Sequence, residues 1–169
     1  MTKAEFDQVI LSKMSEGVLQ AQVIEDLKWV GFPRNLIYHT HFSKRSVSGY
    51  PDLHAIRRST DQIPTWVTYR WPRQIYAELK TETGTATLEQ VEWLDALADQ
   101  RDHGAQLEVY LIRPSDTDAF KSVLLHGPKE PGGLAQWPIG QDETRRKARP
   151  SRPGTPGVRP RKRRKKVAP

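Results

Sequence analysis

The chain has 169 residues and a mass of 19.4 kDa, the size of one domain with a tail, and its mean hydropathy is −0.71. Its longest uncharged run, Pro131 to Gln141, is too short to span a bilayer, and the absence of cysteine excludes disulfides, thiolate metal centres and cysteine nucleophiles. The net charge of +7 is unevenly distributed: Thr144 to Pro169 holds twelve basic residues and no acid, while Met1 to Glu143 holds fifteen basic against twenty acidic residues, a net of −5.

In chain order, Phe6, Val9, Ile10 and Met14 have helical spacing and predict a short first helix. A second helix starts at Ser15, a good N-cap type, with Leu19, Val23, Leu27 and Val30 as its stripe and Gly31 and Pro33 as its stop. Leu36 to Thr40 reads as a strand, and a basic, Ser-rich loop follows from Ser43 to Gly49. Asp52 to Arg57 alternates as a second strand, and Trp66 to Tyr69 is a further strand candidate between Pro64 and Pro72. Gln74 to Lys80 is a strand with Ile75, Ala77 and Leu79 on one face and Gln74, Tyr76, Glu78 and Lys80 on the other. A helix from Leu88 to Asp102 opens on the capping-box pattern Thr87-x-x-Gln90; Leu107 to Ile112 is an apolar strand, and Asp116 caps a last helix ending near Leu125. This order predicts an α/β domain over residues 1–126, a central mixed sheet flanked by helices. Residues 127–169 read as a Pro- and Gly-rich linker and a disordered basic tail, too poor in apolar residues to fold.

The chemistry concentrates in two segments, Gly49-Tyr50-Pro51-Asp52 and Glu78-Leu79-Lys80. Residues i and i+2 of a strand share a side, so Glu78 and Lys80 emerge together while Leu79 turns into the core. Asp52 opens a strand that fits beside this one. Two carboxylates at strand ends supply hard oxygen ligands suited to Mg²⁺ or Mn²⁺, and a neighbouring lysine can hold an attacking water or neutralise charge on a phosphate. Read singly, Pro-Asp is also a turn dipeptide and E-x-K also a solvated pair.

The runs GYPDL, YAELKTETGTATLEQVEWLDAL and VYLIRPSD resemble, in order, the motifs of the VRR-NUC branch of the PD-(D/E)xK nuclease superfamily. The matching pieces are Ser15-Glu16 opening a helix, G-x-P-D at Gly49 to Asp52, E-x-K at Glu78 to Lys80, Gln90 on the next helix near Trp-Leu, and an aliphatic strand closing with Arg-Pro at Val109 to Pro114. The resemblance spans about residues 15 to 125. It implies a restriction endonuclease-like core and a phage-type, stand-alone, metal-dependent DNA endonuclease, structure-selective in the manner of Holliday-junction resolvases. Asp52 and Glu78 would be metal ligands with the Leu79 carbonyl. Glu16 would complete the metal site directly or through water, Lys80 would position water or stabilise the transition state, and Gln90 would bond near the metal or phosphate. Two of these residues have a plainer reading: Glu16 suits the dipole of its helix, and Gln90 is the capping partner of Thr87.

His39, His41, Ser43, Lys44, Arg45 and Ser46 are candidate phosphate contacts beside the G-x-P-D turn, as is Arg113; the alternative is a solvated loop with packed histidines. Trp66, Trp71 and Tyr69 are base-stacking, core or partner-interface residues, and Trp93, off its helix stripe, is a candidate for a dimer face. The cluster Arg161, Lys162, Arg163, Arg164, Lys165 and Lys166 would hold branched or duplex DNA through its phosphates. A cytoplasmic setting in a prokaryotic or phage-infected cell, no membrane partner and a homodimer complete the expectation; no secretory signal is visible. The rival reading is a non-catalytic nucleic-acid-binding protein that retains the fold. A further rival is an accessory protein whose basic tail docks on a larger assembly.

Overall fold

The computed structural model describes residues 2–40 and 47–137. Two helices, α1 (Lys3–Lys13) and α2 (Glu16–Trp29), lead through a 3₁₀ turn at Arg34–Leu36 into strands β1 (Ile37–His39), β2 (Leu53–Arg57) and β3 (Arg73–Leu79). Helix α3 (Leu88–Asp102), strand β4 (Glu108–Ile112), a second 3₁₀ turn at Pro114–Asp116 and helix α4 (Thr117–His126) follow. The Ser15 hydroxyl accepts the Val18 N–H at the start of α2, and Leu19, Val23 and Leu27 form its buried stripe. At α3 the Thr87–Gln90 capping box is formed in both directions.

The strands lie in the order β1-β2-β3-β4. The first three are antiparallel, and β4 runs parallel to β3, with α3 as the long crossover that a parallel pair requires. On one face Leu53, Ala55, Ile75, Ala77, Leu79, Tyr110 and Ile112 pack against Leu19, Val23 and Leu27 of α2 and Phe120, Val123 and Leu124 of α4. On the other, Val109 and Leu111 meet Val91, Leu94, Leu97 and Ala98 of α3. The expected mixed sheet between helices is therefore present.

Three expectations change. Trp66 to Tyr69 is not a strand. The Arg57 guanidinium donates to the carbonyls of Tyr69 and Trp71, and the N–H groups of Thr68 and Tyr69 both point at the Leu125 carbonyl. These bonds replace a ladder. The packed body also continues past residue 126: Trp137 is buried, its N–H donates to the Val109 carbonyl and its indole N–H to Asp95, so residues up to 137 belong to the domain. The proposed disordered tail lies outside the described residues. Leu36 belongs to the 3₁₀ turn, which shortens β1.

One end of the sheet buries charge. Arg57 and Arg73 face each other across β2 and β3. Arg73 forms a two-pronged pair with Glu108 at 2.7 and 2.6 Å and also donates to the Val123 and Leu124 carbonyls, while the Tyr110 hydroxyl donates to Glu108. Arg57 donates to the Val30 carbonyl and lies over the Phe32 ring; burial, then repulsion from Arg73, pushes its guanidinium down to about 10. Cutting a buried pair leaves the surviving charge uncompensated. Glu108→Ala is accordingly expected to cost about 3–5 kcal/mol in a denaturant titration; a loss within experimental error shows that Arg73 is held without it.

Candidate active site

The opposite end of the sheet carries the residues singled out in the sequence. One residue beyond the Leu53–Ala77 pair, Asp52 comes alongside Glu78. The turn that delivers Asp52 depends on Gly49. Its φ is +80°, and an added Cβ would stand 2.5 Å from the backbone of Glu89 on α3. Asp52 is fixed by two bonds: Oδ2 accepts the Leu79 N–H at 3.0 Å and Oδ1 accepts the Thr40 hydroxyl at 3.3 Å. The Thr40 N–H donates to the Asp52 carbonyl, continuing the β1–β2 pairing by a further bond.

Glu78 is fully buried and Lys80 nearly so, which sets aside the plainer reading of E-x-K as a solvated pair. They do share a side. The Lys80 ammonium donates to Glu78 Oε1 at 2.5 Å and stands 3.9 Å from Glu16 Oε1 at the start of α2. Glu78 Oε2 is buried and no donor reaches it, while the protonated form of the carboxyl shares a hydrogen bond with Asp52. Burial pushes the Glu78 carboxyl up to about 8; the Lys80 charge pulls it back and the Asp52 charge adds to the rise. For Lys80, burial works against the charged form, but Glu78, Asp52 and Glu16 prevail and hold its pKa above that of an ordinary lysine. Its ammonium is therefore a permanent local cation at neutral pH.

Asp52, Glu78, Lys80 and, at its margin, Glu16 are thus brought together. The Leu79 side chain is buried on the opposite face, and its N–H is the group that holds Asp52. Among the described residues no group of three or more His, Asp or Glu side chains stands at metal-holding spacing. The oxygen donors on hand are the two strand carboxylates, one with an orphaned buried oxygen. That donor set fits a hard cation which keeps most of its waters.

Other expected site residues are engaged elsewhere. Gln90 accepts the Thr87 N–H at 2.8 Å, the geometry of a capping residue whose side-chain oxygen turns back to the helix start. Arg113 donates to the Gly84 carbonyl at 2.9 Å and steadies the turn after Lys80. His39 ends β1, across from Leu53, on the sheet face that α2 covers. Trp93 meets the Tyr50 ring edge-on at 5.2 Å and donates to the Ser48 carbonyl, so it braces the G-x-P-D turn within the chain. Trp66 stacks on Trp29, with centroids 5.9 Å apart, and both are half exposed. His41, Ser43, Lys44, Arg45 and Ser46, with Arg161, Lys162, Arg163, Arg164, Lys165 and Lys166, lie outside the described residues.

Sequence reasoning did not single out a group of rings beside the carboxylates. Tyr38, His54 and Tyr76 are cross-strand neighbours on one rung of the sheet. His54 and Tyr76 stack at 4.1 Å, and Tyr50 lies over Tyr38 edge-on. The Gln74 amide donates to the Tyr76 hydroxyl at 2.7 Å, and burial lowers the His54 pKa. The strand alternation of His54 and Tyr76 was the available signal; their pairing with Tyr38 required the register.

Comparison with models of protein families, with curated proteins and with solved structures returned no match. What the described site establishes is a class: a mixed α/β domain with two carboxylates and a lysine converging at one end of its sheet.

The capping geometry has a direct consequence. Thr87→Ala and Gln90→Ala are each expected to cost about 1 kcal/mol in a urea titration. A Gln90→Ala protein of unchanged stability would show that the cap does not employ this side chain.

Proposed function

We propose that the chain is a metal-dependent DNA endonuclease with a restriction endonuclease-like core. The observation that carries the reading is the convergence of Asp52, from the start of β2, with Glu78 and Lys80, from the end of β3, with one buried Glu78 oxygen that no donor reaches. A buried acceptor without a donor costs roughly 1–3 kcal/mol, and such an atom is explained when a cation belongs beside it. The strand order, antiparallel then parallel with a helical crossover, and the ordered resemblance of GYPD, ELK and LIRP to VRR-NUC motifs support the same reading.

Mg²⁺ or Mn²⁺ would be held by Asp52 and Glu78, with the Leu79 carbonyl as a further oxygen and Glu16 reaching in from α2. Bound there, the ion supplies a Lewis acid and lowers the pKa of a water. The chain's own residues do the rest. The Thr40 hydroxyl and the Leu79 N–H hold Asp52 in one orientation, so its oxygens need no reorganisation during reaction. Lys80 carries its charge through neutral pH and sits where negative charge develops on a phosphodiester oxygen. A cytoplasmic setting, a homodimer for substrates that need two cuts, and the basic tail as a salt-sensitive DNA arm belong to this proposal.

The test is a cleavage panel of junction, flap, splayed-arm and linear DNA with Mg²⁺ or Mn²⁺. Cutting is expected from the unaltered chain and should fall by about 100-fold or more in Asp52→Asn and Lys80→Ala, both checked for native fold by circular dichroism. A correctly folded protein that leaves every substrate intact, or variants that cut as fast as the parent, sinks the nuclease reading. Metal-independent binding of the same DNAs without cutting would instead favour the non-catalytic binder.

A further inference from the structure

The ring-bearing rung and the carboxylate rung are neighbours on the same sheet face. Tyr38, His54 and Tyr76 pair across β1, β2 and β3. Two residues further along each strand on that face stand Thr40, Asp52 and Glu78. The separation is about 7 Å, twice the rise per residue of a strand. Tyr50 and Trp93 border the rings, and Gln74 and the Tyr76 hydroxyl add hydrogen-bonding edges. Tyr38 is 53% exposed, because α3 packs over β4 and not over the β1 edge.

The geometry points to this rung as a stacking subsite for an unpaired nucleotide of the DNA strand whose phosphate lies at Asp52 and Glu78. The inference rests on the nuclease reading of those carboxylates and narrows it. Aromatic side chains stack on any base, because every base has a π-face. Sheet-borne rings are a recurrent platform for single-stranded nucleic acid. Inside a duplex both faces of a base are covered by its neighbours, so only a base released from the helix can use the rings. A phosphate held at the carboxylates leaves its adjoining base within reach of Tyr38. The commitment is therefore to a splayed or flapped strand next to the scissile phosphate, in preference to a fully paired duplex or a fully paired four-way junction.

The experiment uses the full chain with oligonucleotides that carry 2-aminopurine, whose fluorescence falls on stacking. The label is placed at the first unpaired position of a splayed arm, or inside a duplex of the same sequence, and binding is followed in Ca²⁺. Quenching is expected at the unpaired position and not in the duplex. Tyr38→Ala, checked for native fold by circular dichroism, should weaken splayed-arm binding by about tenfold and leave duplex binding unchanged. Tyr38→Phe, which keeps the ring, should behave as the parent. Absence of quenching, or an equal effect of Tyr38→Ala on both DNAs, overturns the subsite. The two readings fail separately. If Mg²⁺-dependent cutting occurs without a splayed-arm preference, the subsite falls and the nuclease stands. If quenching and Tyr38 dependence occur with no cutting in Mg²⁺, the nuclease falls and the ring platform stands as a binding surface.

Discussion

The hydrogen bond from the Leu79 N–H to Asp52 Oδ2 joins the two halves of the site. Asp52 leaves a turn whose path depends on Gly49, while Leu79 ends a strand held between an antiparallel and a parallel neighbour. Without that bond the aspartate would be tied to β1 alone, through Thr40. With it, the carboxylate is also tied to β3, a central strand of the sheet, beside Glu78 and Lys80. The parallel strand matters too: the Lys80 N–H donates to the Ile112 carbonyl, so β4 fixes the backbone that presents the lysine.

The sheet buries ionisable side chains at both ends. At the end away from Asp52, Arg73 is matched to Glu108, while the Arg57 guanidinium meets only carbonyls and its Nε is buried without a partner. Glu108 meets both prongs of the Arg73 guanidinium, Tyr110 bonds the same carboxylate, and two helix carbonyls take the remaining donors. Such a cluster joins α4, β3 and β4. At the Glu78 end a carboxylate is taken equally far from water and one oxygen is left orphaned. Incomplete satisfaction in a protein interior costs stability, and it is retained where something other than stability is served.

The functional proposal rests on this geometry and on short motifs. The motifs are individually common. Their order along the chain and their meeting in space are independent of one another, since spacing in sequence does not oblige Gly49-Tyr50-Pro51-Asp52 to lie against Glu78-Leu79-Lys80.

Periodicity and capping chemistry are local, and so the sequence by itself determined the helices at Glu16–Trp29 and Leu88–Asp102, the alternating strands at Leu53–Arg57 and Arg73–Leu79, and the identity of two acids and a lysine as the residues worth watching. Tertiary structure alone decided what depends on register and burial. It set Asp52 beside Glu78, closed Glu78 and Lys80 from water, and aligned Tyr38 with His54 and Tyr76. It drew Arg57 and Arg73 into the interior and carried the packed body on to Trp137. The reason is physical: a local pattern states which side of an element a residue occupies, whereas the partner on that side is chosen by strands and helices distant in the chain.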